Sequence, residues 1–81
     1  MSLQDKYDNA FMEIFSIPKN ALNGALEYGS IDEWDSVGHM TLIGELEDTF
    51  DIAMEMDDII DFSSYKKGIE LLAKYGVVLN P

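Results

Sequence analysis

Glu33-Trp34-Asp35-Ser36-Val37-Gly38-His39-Met40-Thr41-Leu42-Ile43-Gly44-Glu45-Leu46-Glu47-Asp48-Thr49-Phe50 is the stretch that decides the fold. Leu42, Ile43, Leu46 and Phe50 recur at helical spacing, which places them on one face of a helix from about Ser36 to Phe50. A second, smaller stripe of Val37, Met40, Thr41 and Gly44 leads down to the acidic Glu47 and Asp48. Only one stripe can face a core. The other is left exposed, apolar near the start of the helix and acidic toward its end.

Working outward, the chain reads as further helices around one long loop. Leu3, Tyr7, Ala10, Phe11 and Ile14 recur at helical spacing and predict a first helix from about Leu3 to Phe15. Pro18 stops it, because the residue before a proline is pushed out of helical geometry. From about Ser16 to Asp35 the turn and breaker residues Asn20, Asn23, Gly24, Gly29 and Ser30 predict a loop, with Leu22, Leu26, Tyr28 and Ile31 as its anchors on the core. Loops this long in small domains are often functional. After the Ser36 helix, a short helix is expected over about Asp57 to Asp61, carrying Ile59 and Ile60. A last one is expected from about Ser64 to Tyr75, with Tyr65, Ile69, Leu72 and Tyr75 on one face. Ser63 or Ser64 can cap its start and Gly76 suits its end. The expected fold is all-α, a small four-helix bundle in one domain over residues 1–81.

Composition narrows the function classes. A chain of 81 residues has room for one modest core and little room for an enclosed catalytic centre, so a carrying or binding module is favoured over an enzyme. Sixteen acidic residues against five basic ones give a formal net charge of -11. Such a chain is repelled by nucleic acid and by anionic membrane surfaces, and suits proteins with basic patches. With 47% of residues hydrophobic there is enough apolar surface to fold, which rules out disorder for the bulk of the chain. There is no cysteine, so disulfides, thiolate metal sites and thiol chemistry of the chain's own are excluded. No stretch is long or apolar enough to span a bilayer, and Met1-Ser2-Leu3-Gln4-Asp5-Lys6 does not read as a signal peptide. A cytoplasmic monomer is the expectation.

Asp35-Ser36 sits where the long loop meets the helix. A Ser or Asp there has an ordinary role, accepting a hydrogen bond from a first-turn amide. No capping box supports it, because His39 rather than Glu lies three residues beyond Ser36. The same place suits a phosphate, since free amides and the positive end of the helix dipole favour an anion.

The run from Glu33 to Phe50, continuing through Asp51-Ile52, resembles the acyl carrier protein family. The family pattern is Asp-Ser followed by an apolar residue, then an amphipathic helix ending in Leu-Glu-x-x-Phe-x-Ile. Leu46-Glu47-Asp48-Thr49-Phe50-Asp51-Ile52 matches that ending. The resemblance covers essentially the whole chain, with the long first loop and the late short helix in place. It implies that Ser36 takes a covalent 4'-phosphopantetheine arm from coenzyme A, delivered by a separate magnesium-dependent phosphopantetheinyl transferase. Asp35 would assist recognition by that transferase. The arm's terminal thiol would hold acyl groups as thioesters, so the catalysis would belong to the chain's partners, acyl-loading and acyl-transfer enzymes. Val37, Met40, Gly44, Glu47 and Asp48 would form the docking face for their basic patches.

Gly38 and Thr41 depart from the family's fatty-acid members, which usually carry acidic residues there. That points to a carrier dedicated to one pathway. A peptidyl or D-alanyl carrier of aminoacyl groups is the neighbouring alternative. An unmodified acidic helical adaptor is the alternative from another class, and Ser36→Ala would cost an adaptor only a helix cap, about 1 kcal/mol. His39 is expected at the edge of the core, within reach of an arm, and Trp34 as an anchor of the loop. Met40, Met54 and Met56 read either as an adaptable apolar pocket or as core filling. Asp57, Asp58 and Asp61 read as a solvated acidic turn, lacking the spacing of a calcium loop. Tyr65 and Tyr75 read as aromatics at the core edge.

Overall fold

Four helices carry the chain in the computed structural model, which describes residues 2–79: α1 (Leu3–Phe15), α2 (Ser36–Phe50), α3 (Met56–Asp61) and α4 (Tyr65–Ala73). Of the single domain expected over residues 1–81, Met1, Asn80 and Pro81 lie outside the described residues. There is no strand among the described residues, only an isolated antiparallel bridge between Glu27 and Ser64. No helix among them is long and apolar enough to cross a membrane.

α1 starts on a capping box that the helical spacing alone did not reveal. Ser2 Oγ accepts from Asp5 N at 3.0 Å, and the Asp5 carboxylate reaches back to Ser2 N. α1 and α2 end alike, with Ser16 and Asp51 in the left-handed region at φ 54° and φ 53° and the next amides folding back to Met12 O and Glu47 O. α1 therefore closes before Pro18 is reached. α4 is capped by Ser64, whose Oγ accepts from Lys67 N at 2.9 Å, and the turn that follows Ala73 closes at Gly76 with φ 83°.

The core is an aromatic column. Tyr7, Phe11 and Phe15 lie four residues apart on α1 and are all fully buried. Phe11 is its centre, with ring centroids 4.9 Å from Tyr7, 5.9 Å from Phe15, 5.6 Å from Trp34 and 5.3 Å from Tyr65, mostly edge to face. Leu42, Ile43 and Leu46 supply the α2 side, with Phe50 packed at its edge. Leu3, which shares the helical spacing of Tyr7, Ala10, Phe11 and Ile14, is exposed. Tyr65 is buried in the column and not at its edge.

α4 approaches α1 closely because position 68 has no side chain. A Cβ on Gly68 would overlap the Phe62 ring and the Tyr7 hydroxyl. The same approach lets Tyr7 donate to the Tyr65 carbonyl at 2.6 Å. Asp8 is buried beside this contact and accepts from the Tyr65 hydroxyl at 2.6 Å and from Gln4 Nε2 at 2.9 Å. Burial, with the negative charge of Asp8 nearby, pushes both tyrosine hydroxyls above the usual tyrosine range.

The long loop holds one turn of 3-10 helix, Lys19–Ala21. Leu26 is its buried anchor, and Leu22 and Ile31 are half-buried. Tyr28 N donates to Ser63 O and Tyr65 N to Leu26 O, clipping the loop to the start of α4. Tyr28 itself is not a core anchor, since the residue is 49% exposed.

Candidate functional site at the start of the second helix

The last turn of the loop aims Asp35 at α2. Gly29 at φ 82° lets its amide reach Trp34 O, while Trp34 N closes on Ile31 O. Trp34 is fully buried against Phe11 and Phe15, so the residue after it emerges at a fixed place. Gly38 allows the final approach. A Cβ there would overlap the Glu33 carbonyl oxygen.

The cap of α2 is Asp35. Its Oδ1 accepts from Gly38 N at 2.8 Å, and its carbonyl accepts from His39 N at 2.8 Å. Ser36 is the first helical residue, exposed, and its hydroxyl has no hydrogen-bond partner among the described residues. The two roles left open at this junction are thus divided, with Asp35 holding the helix and Ser36 presenting an unengaged hydroxyl. The remaining first-turn amides are those of Ser36 and Val37.

The two stripes of α2 separate as expected. Val37 is 74% and Met40 55% exposed, while Leu42, Ile43 and Leu46 are buried. Thr41 Oγ1 donates to Val37 O at 2.9 Å. Gly44 faces open space, with room for a methyl group. Asp48 is exposed. Glu47 is partly engaged within the chain, since its Oε2 accepts from Met54 N at 2.8 Å and ties α2 to the segment before α3.

One turn along α2 from Ser36 an open cleft of about 340 Å³ lies between α2 and α3, with Tyr28, His39, Met40, Met56, Ile60 and Phe62 in its walls. Met56 and Ile60 are 70% and 68% exposed there. Met54 belongs instead to the core. The methionines thus divide between the two roles open to them in the sequence.

His39 is half-buried at the edge of the core. Its Nδ1 faces the Trp34 indole N–H at 3.0 Å and its Nε2 faces Ile59 O at 2.8 Å. A buried Trp needs an acceptor, and His39 supplies it. Tyr28 meets the same imidazole edge to face at 5.6 Å. Tyr28, Ile60 and the bridging of His39 are parts of the site that sequence reasoning missed. The turn-rich context of Tyr28 and the shortness of the helix that carries Ile60 gave no signal of a shared wall.

Asp58 overturns the reading of a solvated acidic turn. It is buried, its Oδ1 meets Lys74 Nζ at 2.7 Å and its Oδ2 accepts from the Tyr75 hydroxyl. Hydrogen bonds from Lys74 and then Tyr75 hold its carboxyl below the usual range, and the same bonds raise Lys74 and Tyr75. Asp57 and Asp61 are exposed, as read. No cluster among the described residues is arranged to hold a metal ion.

Comparison of the chain with protein-family models, with curated proteins and with solved structures finds no match.

Proposed function

We propose that this chain is a stand-alone carrier of the acyl-carrier type, a bundle in which Ser36 bears a 4'-phosphopantetheine arm. The observation that carries the reading is the unengaged, exposed hydroxyl of Ser36 beside a helix cap that Asp35 supplies alone. A side chain with no structural duty, at the positive end of a helix dipole, is free to take a phosphodiester. The Ser36 oxygen attacks the β-phosphorus of coenzyme A. The phosphoanhydride bond breaks, 3',5'-adenosine bisphosphate leaves, and the serine proton passes to solvent or a base of the transferase. The thiol that the chain lacks then arrives on the arm.

Two further features support the reading. The exposed face of Val37, Met40 and Gly44 leads to Asp48 and the free oxygen of Glu47, a surface suited to a basic partner. The cleft beside His39 and Met40 is walled mainly by apolar side chains, which favours an acyl cargo over a charged aminoacyl one.

Intact mass tests the proposal. The chain is incubated with coenzyme A, magnesium and a broad-specificity phosphopantetheinyl transferase, beside Ser36→Ala. A gain of one phosphopantetheine unit in the parent and none in the variant is expected. A folded parent that gains nothing from several such transferases would favour the unmodified adaptor.

A further inference from the structure

α3 is a helix of six residues held by polar bonds at both ends. At its start, Glu55 N donates to the Tyr75 hydroxyl at 2.9 Å, and Asp58 is clasped by Lys74 and Tyr75. These bonds anchor it to the end of α4. At its other end the Ile59 carbonyl is one of the last-turn acceptors that a helix cannot satisfy from within. His39 satisfies it from α2, at 2.8 Å.

The donor in that bond is fixed by Trp34. An indole N–H can only donate, so His39 Nδ1 accepts and Nε2 carries the proton directed at Ile59 O. The two rings lie side by side and nearly parallel, at an interplanar angle of 16°, and the wholly buried indole cannot easily shift. His39 thereby ties α3 to the most rigid part of the core. Beside these attachments α3 exposes Met56 and Ile60 to the cleft.

We propose that His39 is the positioning residue that sets the size of apolar group the α2–α3 cleft accepts. With the Ile59 carbonyl held, the cleft keeps its observed width. With that bond lost, α3 turns outward about its anchor on α4 and the cleft takes a longer guest. This goes beyond the proposed modification and does not need it, because the cleft and its latch belong to the unmodified chain.

The test uses the full, unmodified chain and a series of straight primary alcohols, which are neutral and so escape repulsion by the acidic surface. They displace the neutral dye N-phenyl-1-naphthylamine. Each buried CH₂ strengthens binding about fourfold until the chain outgrows its site. His39→Phe keeps a ring against Trp34 and Phe62 and removes both hydrogen bonds, whereas His39→Gln keeps an N–H for the Ile59 carbonyl. The expected result is a gain that levels off at a longer alcohol in His39→Phe and at the parental length in His39→Gln. Amide exchange in the last turn of α3 should quicken roughly fivefold in His39→Phe alone, the factor set by one net hydrogen bond. The same levelling length in all three proteins, a uniform weakening of the whole series in His39→Phe, or no binding by any of them would overturn the proposal. So would a ring ¹⁵N spectrum of the parent showing the proton on Nδ1, a measurement that needs no variant. Failure here leaves the mass gain at Ser36 unaffected, and absence of that gain leaves this result standing.

Discussion

Asp35→Ala and Ser36→Ala should differ sharply in stability although the residues are neighbours. Asp35 Oδ1 holds Gly38 N at 2.8 Å, so alanine there loses a helix cap worth about 1 kcal/mol. The lost negative charge near the helix start adds roughly 0.3 kcal/mol or more, and relief of repulsion in so acidic a chain offsets part of it. For a domain of this size that is a fall in Tm of about 4–8 °C. Ser36→Ala removes a hydroxyl with no partner and introduces a better helix former, so its stability should stay within about 0.5 kcal/mol of the parent. Asp35→Asn is the control, because asparagine caps as well as aspartate and removes only the charge. Urea and thermal unfolding followed by circular dichroism read all three. A loss in Ser36→Ala as large as that in Asp35→Ala would refute the division of roles, since the serine would then be the cap. The outcome bears on function directly. A Ser36→Ala chain as stable as its parent makes any loss of modification or transfer attributable to the missing oxygen.

Four other outcomes follow from the same geometry. Gly44→Ala should raise stability by about 0.5–1 kcal/mol in denaturant unfolding, since open space surrounds that position and glycine is costly inside a helix. Gly68→Ala should instead lower it by about 1–3 kcal/mol, because its methyl overlaps Phe62 and the Tyr7 hydroxyl. Tyr7 and Tyr65 ionise above the ordinary 10.0 in the fold, so the unfolded chain loses those protons first and stability should fall as pH climbs past 10.0. Tyr65→Phe should flatten that alkaline limb. Asp58 ionises below the ordinary 3.8, so its contribution is present above that pH and is lost as pH falls further; Asp58→Asn should flatten the acid limb of a Tm-against-pH curve.

The four helices were legible because their signals are local. Stripes at helical spacing, Pro18, Ser64 and Gly76 all act within a few residues, and the four helices follow them to within a residue or two at most ends. The partition of α2 into a buried and an exposed stripe was legible for the same reason. What the sequence hid depends on pairs that the fold brings together from different elements. Asp8 looks like a surface acid until Tyr65 closes over it. Asp58 looks solvated until the end of α4 brings Lys74 and Tyr75 to it. His39 looks like a lone imidazole until its two ring nitrogens meet Trp34 and Ile59. Each of these is a polar group whose partner lies on another element, and no period along the chain encodes that.

Gly38 shows how such a pairing changes a functional argument. Read along the chain, Gly38 and Thr41 are two docking acids that a fatty-acid carrier would have and this chain lacks. In the fold they are not equivalent. Thr41 is exposed, and a longer acidic side chain there would reach solvent beside Val37 and Met40. Gly38 faces inward onto the Glu33 carbonyl and the Phe15 ring, where any side chain would displace the loop that places Trp34 and Asp35. Its absence of charge follows from packing, with no reference to a partner. The case for a partner set different from that of a general fatty-acid carrier therefore rests on Thr41 and on the uncharged run of Val37, Met40 and Gly44. Under the carrier proposal, a partner reaching Ser36 would lie against that run, so apolar contact there should dominate docking, with the acidic end of α2 acting mainly through the rate of encounter.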